Sequence, residues 1–491
     1  MARPRYIHSG LGLPANPLTE PANPLTEPAY PLIEPAHPLK EKDHMTDDAT
    51  VRADNRNYVF HSWAAQGSFE PLPIAGAQGS WFWDYSGKRY LDFSSQLVNV
   101  NIGHQHPRLV EAIQEQAAKL CTVSPAFAND KRGEAARLIA ELAPGPLNKV
   151  FFTSGGAEAI ENAIRMARLH TGRHKVLSAY RSYHGSTAAA VTATGEPRRW
   201  PNEPTAIGVV HFWGPYPYRS AFHSTSAEQE TERALTHLRD TVAVEGPSTV
   251  AAVLLETVVG TNGVLVPPPG YLAGVREICD EHGIVFIADE VMAGFGRCGE
   301  WFAVDHWGVA PDLITFAKGV NSGYLPLGGV IISDAVADTF RDRVYPGGLT
   351  YSGHPLACAS AVASIQIFKE EGIVEHARTL GEDVIGPALQ GLAERHPSVG
   401  EVRGLGVFWA IELVSDRETR EPLVPFNASG PAAAPMAELA AACKERGLWP
   451  FTHFNRVHVV PPCTISADEV RQGIAILDEA LAVADRYTAD S

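Results

Sequence analysis

The sequence predicts an α/β fold: a large domain on a mainly parallel, doubly wound sheet, with a smaller α+β domain beside it. Three observations carry this expectation. From about residue 130 to residue 330, short apolar, β-branched runs alternate with stretches of helical periodicity, the pattern of parallel strands joined by helices. Two of those runs, residues 284–288 (IVFIA) and 313–317 (LITFA), are followed by ionisable residues, Asp289–Glu290 and Lys318. Open α/β sheets bind ligands outside the carboxyl ends of their strands. After residue 371 the alternation stops and a few isolated strands and helices follow. A carboxylate and an amine at two strand ends form either a structural ion pair or part of a site, and the rest of the chain must decide.

Composition narrows the class. The chain has 491 residues, 45% of them hydrophobic, and a formal net charge of −16. That length allows a large core and two or three domains. The acidic balance argues against a nucleic-acid surface and for a soluble enzyme. No uncharged apolar run approaches the roughly 18 residues needed to span a bilayer. The six cysteines include no CxxC pair, which fits a reducing cytoplasm better than disulfides or a zinc site.

In chain order, residues 1–47 read as a disordered Pro-rich tail, because Pro14, Pro21, Pro28 and Pro35 recur every seven residues in near-copies of PANPLTE. A silent extension ahead of Met45 and a Pro-rich ligand for a partner are its two readings. Residues 79–92 suggest a hairpin, with aromatic residues flanking a Tyr-Ser-Gly turn. His104 and His106 sit on a loop before a helix over 108–120, where hydrogen bonding explains them better than metal binding. Residues 149–154 (KVFFTS) form a strand running into Gly155, Gly156 and Ala157 and then a helix. Small residues at such a turn, with the helix N-terminus behind them, make a phosphate cradle. A strand at 175–179 leads to the loop SYHGST, which turns Tyr183 and His184 toward the same crevice. A buried strand at 250–256 ends in Glu256, and PPPG precedes a helix over 271–282. The run GFGRCG at 294–299 matches GxGxxG formally, but no clean helix follows and no acidic residue closes a second strand. Its glycines read as a tightly folded loop. Residues 356–371 form a long helix. Residues 403–414 and 457–460 read as strands, with helices over 435–446 and 467–486. The expected division is a large domain over 106–364 and a small one from 48–105 with 365–491.

Together these strand ends present a phosphate cradle, an aromatic ring, a carboxylate and a lysine. Pyridoxal phosphate requires this set. Lys318 would form the Schiff base, Asp289 would pair with the pyridinium nitrogen, Tyr183 would stack on the ring, and Val291 would press on its other face.

At this point the chain resembles the class III, fold-type I aminotransferases (ω-aminotransferases) over roughly residues 55–485. The resemblance rests on FFTSGGAEAIENAIRMAR, SYHGST, ADEVMAGFGRCG followed by PDLITFAKG, and TYSGHP, in that order. It implies that Gly155, Gly156 and Ala157 cradle the cofactor phosphate, with Tyr183, His184, Glu256, Asp289, Val291 and Lys318 around the ring. It implies Thr350 reaching a neighbouring subunit's phosphate, hence a homodimer with shared sites, with a tetramer left open. The implied reaction moves an amino group from an ω-amino acid or primary amine to pyruvate or 2-oxoglutarate. An aminomutase, a decarboxylating relative and an inactive cofactor-binding regulator are the alternatives. Relatives carry an arginine before a Pro-Pro that clamps a substrate carboxylate. In FTHFNRVHVVPPC, Arg456 and His453 are the candidates, and Phe60, Trp63, Val98 and Phe127 are candidates for the pocket lining.

Overall fold

The computed structural model describes residues 47–203 and 205–489; the expected tail lies, up to residue 46, outside the described residues. The central sheet has seven strands, in the order Leu147–Thr153, Gly328–Ser333, Leu313–Phe316, Val285–Asp289, Val250–Glu256, Lys175–Ala179 and Val209–Phe212. The last five are mutually parallel. Gly328–Ser333 runs against both of its neighbours, which returns Leu147–Thr153 to the common direction. The sheet is therefore mainly parallel, as expected, and Thr153, Ala179, Glu256, Asp289 and Phe316 all reach one edge.

Helices cover both faces, so the central strands are apolar on both sides and every residue of Val250–Glu256 and Val285–Asp289 is buried. The period of two then assigns each side chain to a face. Ala252 and Leu254 pack with Ile160, Ala163 and Ala167 of the helix Gly156–Thr171. Val253 and Leu255 pack with Val275 and Ile278 of the helix Tyr271–His282. Ile287 and Leu313 share the first face, so Glu256, Asp289 and Thr315, each two residues on, project there as well. Each fully buried leucine or isoleucine contributes roughly 1.5–3 kcal/mol to holding this arrangement.

Residues from the two ends of the chain pack together. Ile74–Gln78, Trp81–Asp84 and Arg89–Asp92 form a meander, extended in parallel by Leu448–Trp449. Its turn holds because Asp84 Oδ1 accepts from Ser86 N and Lys88 N while Gly87 takes φ +84°. One core joins Leu91, Phe93 and Ile102 to Leu389, Leu439 and Leu477. The single strand expected over 403–414 is instead an antiparallel pair, Val399–Leu405 and Phe408–Asp416. The chain reverses at Gly406, whose φ is +55° and where a Cβ would lie 2.4 Å from the Cys298 backbone, so only glycine fits there.

The GFGRCG loop has a structural task. Arg297 within it is fully buried and donates to Val407 O, Pro461 O, Ser95 Oγ and Asn101 Oδ1. It thereby ties three distant segments to the loop that follows Asp289.

Candidate active site

Glu256, Asp289 and Thr315 occupy one cross-strand row at the carboxyl edge of the sheet. Three donors brace Asp289. Thr315 Oγ1 donates to Oδ1 at 3.1 Å, Val291 N to the same oxygen at 3.1 Å, and His184 Nδ1 to Oδ2 at 2.7 Å. His184 is itself held by Ser178 Oγ, 3.2 Å from its Nε2. A carboxylate this buried and this well bonded is held in one orientation. Glu256 accepts instead from two backbone amides, Tyr183 N and Gly260 N, each at 2.8 Å. Burial pushes its carboxyl up to about 7, with Asp289 adding to the rise and His184 opposing it. Glu290, adjacent in sequence, points the other way and accepts from Ala303 N and Val304 N, so it organises a turn outside the site.

The helix Gly156–Thr171 starts at the same edge. Its N-cap, Gly155, has no side chain to satisfy the first amides. Glu158 reaches back to Ser154 N at 2.8 Å. The remaining N–H groups and the helix dipole are left for an anion. Gly156 lies against Val291, since a Cβ there would come within 2.8 Å of Val291 Cγ1. Lys318, two residues beyond the strand Leu313–Phe316, has φ +47°, an unusual conformation for a lysine and one found where surroundings impose it. Burial lowers the pKa of its amine, against the opposing charges of Asp289 and Glu256.

A cavity of about 420 Å³ joins these parts, and Gly155, Gly156, Ala157, Tyr183, His184, Glu256, Asp289, Val291, Lys318 and Trp63 all line it. The residues fit pyridoxal phosphate: an uncapped helix start for its phosphate, a braced buried carboxylate, a buried lysine, and Tyr183 and Val291 on the walls. Other expected residues lie elsewhere. Val98 is buried in a separate apolar cluster, and its neighbour Leu97 borders the cavity instead. Phe60 and Phe127 are 87% and 62% exposed, and Thr350 is exposed. His453 stands 3.6 Å from Glu196, and Arg456 lines a second cavity. Arg198 was not expected: its guanidinium lies 3.7 Å from the Tyr183 ring centroid and is paired with Glu196. Nothing in GEPRRW signals that role, because the contact is set by how the chain returns after the helix Ala188–Ala193.

Comparison with known proteins agrees with this geometry. Residues 63–481 match the family model for class-III aminotransferases. The chain is 42% identical to taurine:2-oxoglutarate aminotransferase from Bifidobacterium kashiwanohense, solved with PLP and glutamate, over 90% of this chain and 98% of that one, with a TM-score of 0.86. It is 33% identical to the 4-aminobutyrate aminotransferase GabT of Escherichia coli (84% of this chain, 94% of the relative). It is 38% identical to the putrescine–pyruvate aminotransferase of Pseudomonas aeruginosa (71% and 78%). The chain belongs to the class-III aminotransferases and is a transaminase dependent on pyridoxal 5′-phosphate.

Proposed function

We propose that the chain transfers an amino group from an ω-amino acid or primary amine to pyruvate or 2-oxoglutarate, with Lys318 and Asp289 as the catalytic residues. The observation that carries this is the meeting, in one cavity, of a buried lysine with lowered basicity and a carboxylate braced by three donors. The relatives named above act on taurine, 4-aminobutyrate and putrescine, all amines on unbranched carbon chains, which supports the donor class.

The bound cofactor supplies an electron sink and a store for the amino group between the two half-reactions. Gly155, Gly156 and Ala157 would hold its phosphate, Asp289 its ring nitrogen, and Tyr183 and Val291 its faces. Asp289 would face the ring nitrogen, and His184 and Thr315 fix that carboxylate in place. Lys318, whose basicity burial lowers, would take the proton from the donor carbon and pass it on within the same half-reaction. Arg198 presses on Tyr183 and limits its rotation.

We further read the active form as a homodimer. Trp63 and Leu97, exposed apolar residues at the cavity, with Phe60 and Phe127 exposed as well, support a covering second copy, and Thr350 would serve that copy's phosphate. The shared core of the chain's two ends supports the division into large and small domains. A cytoplasmic setting is supported by six free cysteines, and no helix among the described residues is long and apolar enough to cross a membrane.

The test is product stoichiometry. With taurine, β-alanine, 4-aminobutyrate or a diamine as donor, the protein should form one alanine or glutamate per donor consumed, and Lys318→Ala should form none. Carbon dioxide released along with the new amino acid would replace this reading with a decarboxylating relative, and donor loss with no alanine or glutamate formed would replace it with an aminomutase.

A further inference from the structure

A second cavity, of about 230 Å³, lies beyond the loop that borders the first. Arg181, Arg219, Asn262 and Arg456 line it, with Phe426 among its apolar residues. The two cavities share no lining residue, yet Thr261 borders one and the adjacent Asn262 the other.

What marks this cavity is its unmet donors. Arg181 Nη1, Arg219 Nη2, Asn262 Nδ2 and Arg456 Nη1 are all buried without a hydrogen-bond acceptor. Asn262 and Arg456 are only 1% and 5% exposed. Buried polar groups are nearly always satisfied, so four orphaned donors around one space point to an acceptor that belongs there. The charges agree. Glu412 is the ion-pair partner of Arg219, Arg403 and Arg456, and Glu401 pairs with Arg403. Among the described residues Arg181 pairs with no carboxylate, and its guanidinium lies 4.6 Å from the Tyr216 ring centroid. Four guanidinium groups thus face two carboxylates, and a positive excess buried in a protein interior calls for a counter-ion.

We propose that this cavity binds a small oxyanion, a sulfate, phosphate, sulfonate or carboxylate group, through Arg181, Arg219, Asn262 and Arg456. Guanidinium forks match the paired oxygens of such groups. The space holds several waters' volume, at about 30 Å³ each, and so admits an anion of a few heavy atoms. Phe426, 57% exposed, offers it a route to solvent.

Calorimetric titration of the cofactor-loaded enzyme tests this, because loading occupies the phosphate cradle. Sodium sulfate, potassium phosphate and glutarate are the probes, with sodium chloride at equal ionic strength as control. Wild type should give a saturable signal, and Arg456→Gln should weaken it about tenfold or more, a loss of at least about 1.4 kcal/mol. The probe that saturates first identifies the source of the anion. Glutarate also reaches the cofactor cavity, so only the part of its signal lost in the variants counts. Asn262→Asp places the missing negative charge in the cavity. It should lose the anion response and unfold at a higher temperature than anion-free wild type, which a merely structural asparagine would not do. If that variant does not fold, anion affinity in Asn262→Ala decides in its place. Absence of any wild-type signal tighter than about 10 mM, or equal affinity in wild type and the folded variants, would overturn the proposal.

Discussion

Gly156→Ala is the sharpest probe of the cofactor cradle. A Cβ at this position would meet Val291 Cγ1 at 2.8 Å and Cγ2 at 3.0 Å. Carbon atoms rest at about 3.5–4.0 Å, so the alanine methyl intrudes by roughly 0.7 Å. Valine is stiff at χ1 and cannot swing aside; it moves as a unit into the cavity that both residues line. Overpacking of this kind costs about 1–3 kcal/mol. Where that cost falls on the bound state, cofactor affinity drops about 5- to 150-fold. Val291→Ala removes both methyl groups, so the double variant should recover most of the loss, while Val291→Ala alone loses about 1 kcal/mol of packing. Equilibrium dialysis of the cofactor against all four proteins measures the cycle. Wild-type affinity in Gly156→Ala, or a loss that Val291→Ala leaves unrelieved, would refute the contact as the cause.

Three further expectations follow from the same geometry. Glu256 has its folded pKa raised from 4.5 to about 7, so the burial penalty is absent below 4.5 and complete above about 7. Cofactor-free protein should therefore lose up to about 3 kcal/mol across that window. Glu256→Gln should escape the loss, and calorimetry at pH 5 and pH 8 should show its advantage in Tm growing with pH. Burial alone would raise the Glu412 carboxyl, but Arg403, Arg456 and Arg219 together hold it well below the usual range. Glu412→Gln should accordingly cost about 3–5 kcal/mol in urea unfolding, and a change under about 1 kcal/mol would show that these arginines do not depend on it. Mixing Lys318→Ala with Thr350→Ala protomers should create one site with both native residues. Tight cofactor binding by a fraction of the mixture would support the shared site, and no gain over the parents would remove Thr350 from it.

The parts of the site legible in the sequence are those where local pattern and position coincide. A β-branched run ending in Asp289, another ending in Lys318 and a strand opening into Gly155–Gly156 all place their residues at one sheet edge, whatever the rest of the chain does. The sequence assigns Asp289 rather than Glu290 to the site, and the structure adds the reason: Asp289 shares the strand face that the helix Gly156–Thr171 covers, while Glu290 turns to Ala303 N and Val304 N. Val98 shows a different limit. Ser95, Gln96 and Val98 all have positive φ, which breaks the alternation of a strand or loop and turns Val98 into the core while Leu97 meets the cavity. The pair Val399–Leu405 and Phe408–Asp416 reads as one apolar run because its turn is only Gly406 and the buried Val407. Arg219 and Arg456 meet Glu412 across long sequence separations, and nothing near them in the chain announces it.

Glu256 and Asp289 sit directly opposite each other on adjacent strands, a pairing that is unfavourable when both carry charge. The structure resolves the conflict by giving them different partners. Asp289 receives an imidazole and a hydroxyl besides one amide, whereas Glu256 receives only two amides. Two carboxyls with such different partners are suited to different tasks. Burial raises the Glu256 carboxyl to about 7, so of the two it is the one that takes up a proton more readily than an ordinary carboxylate. Asp289 is the braced carboxylate of the row, and burial lowers the pKa of the Lys318 amine while the charge of Asp289 opposes that drop. A transaminase site needs that ordering, because a lysine held permanently protonated beside two carboxylates could not remove a proton from carbon.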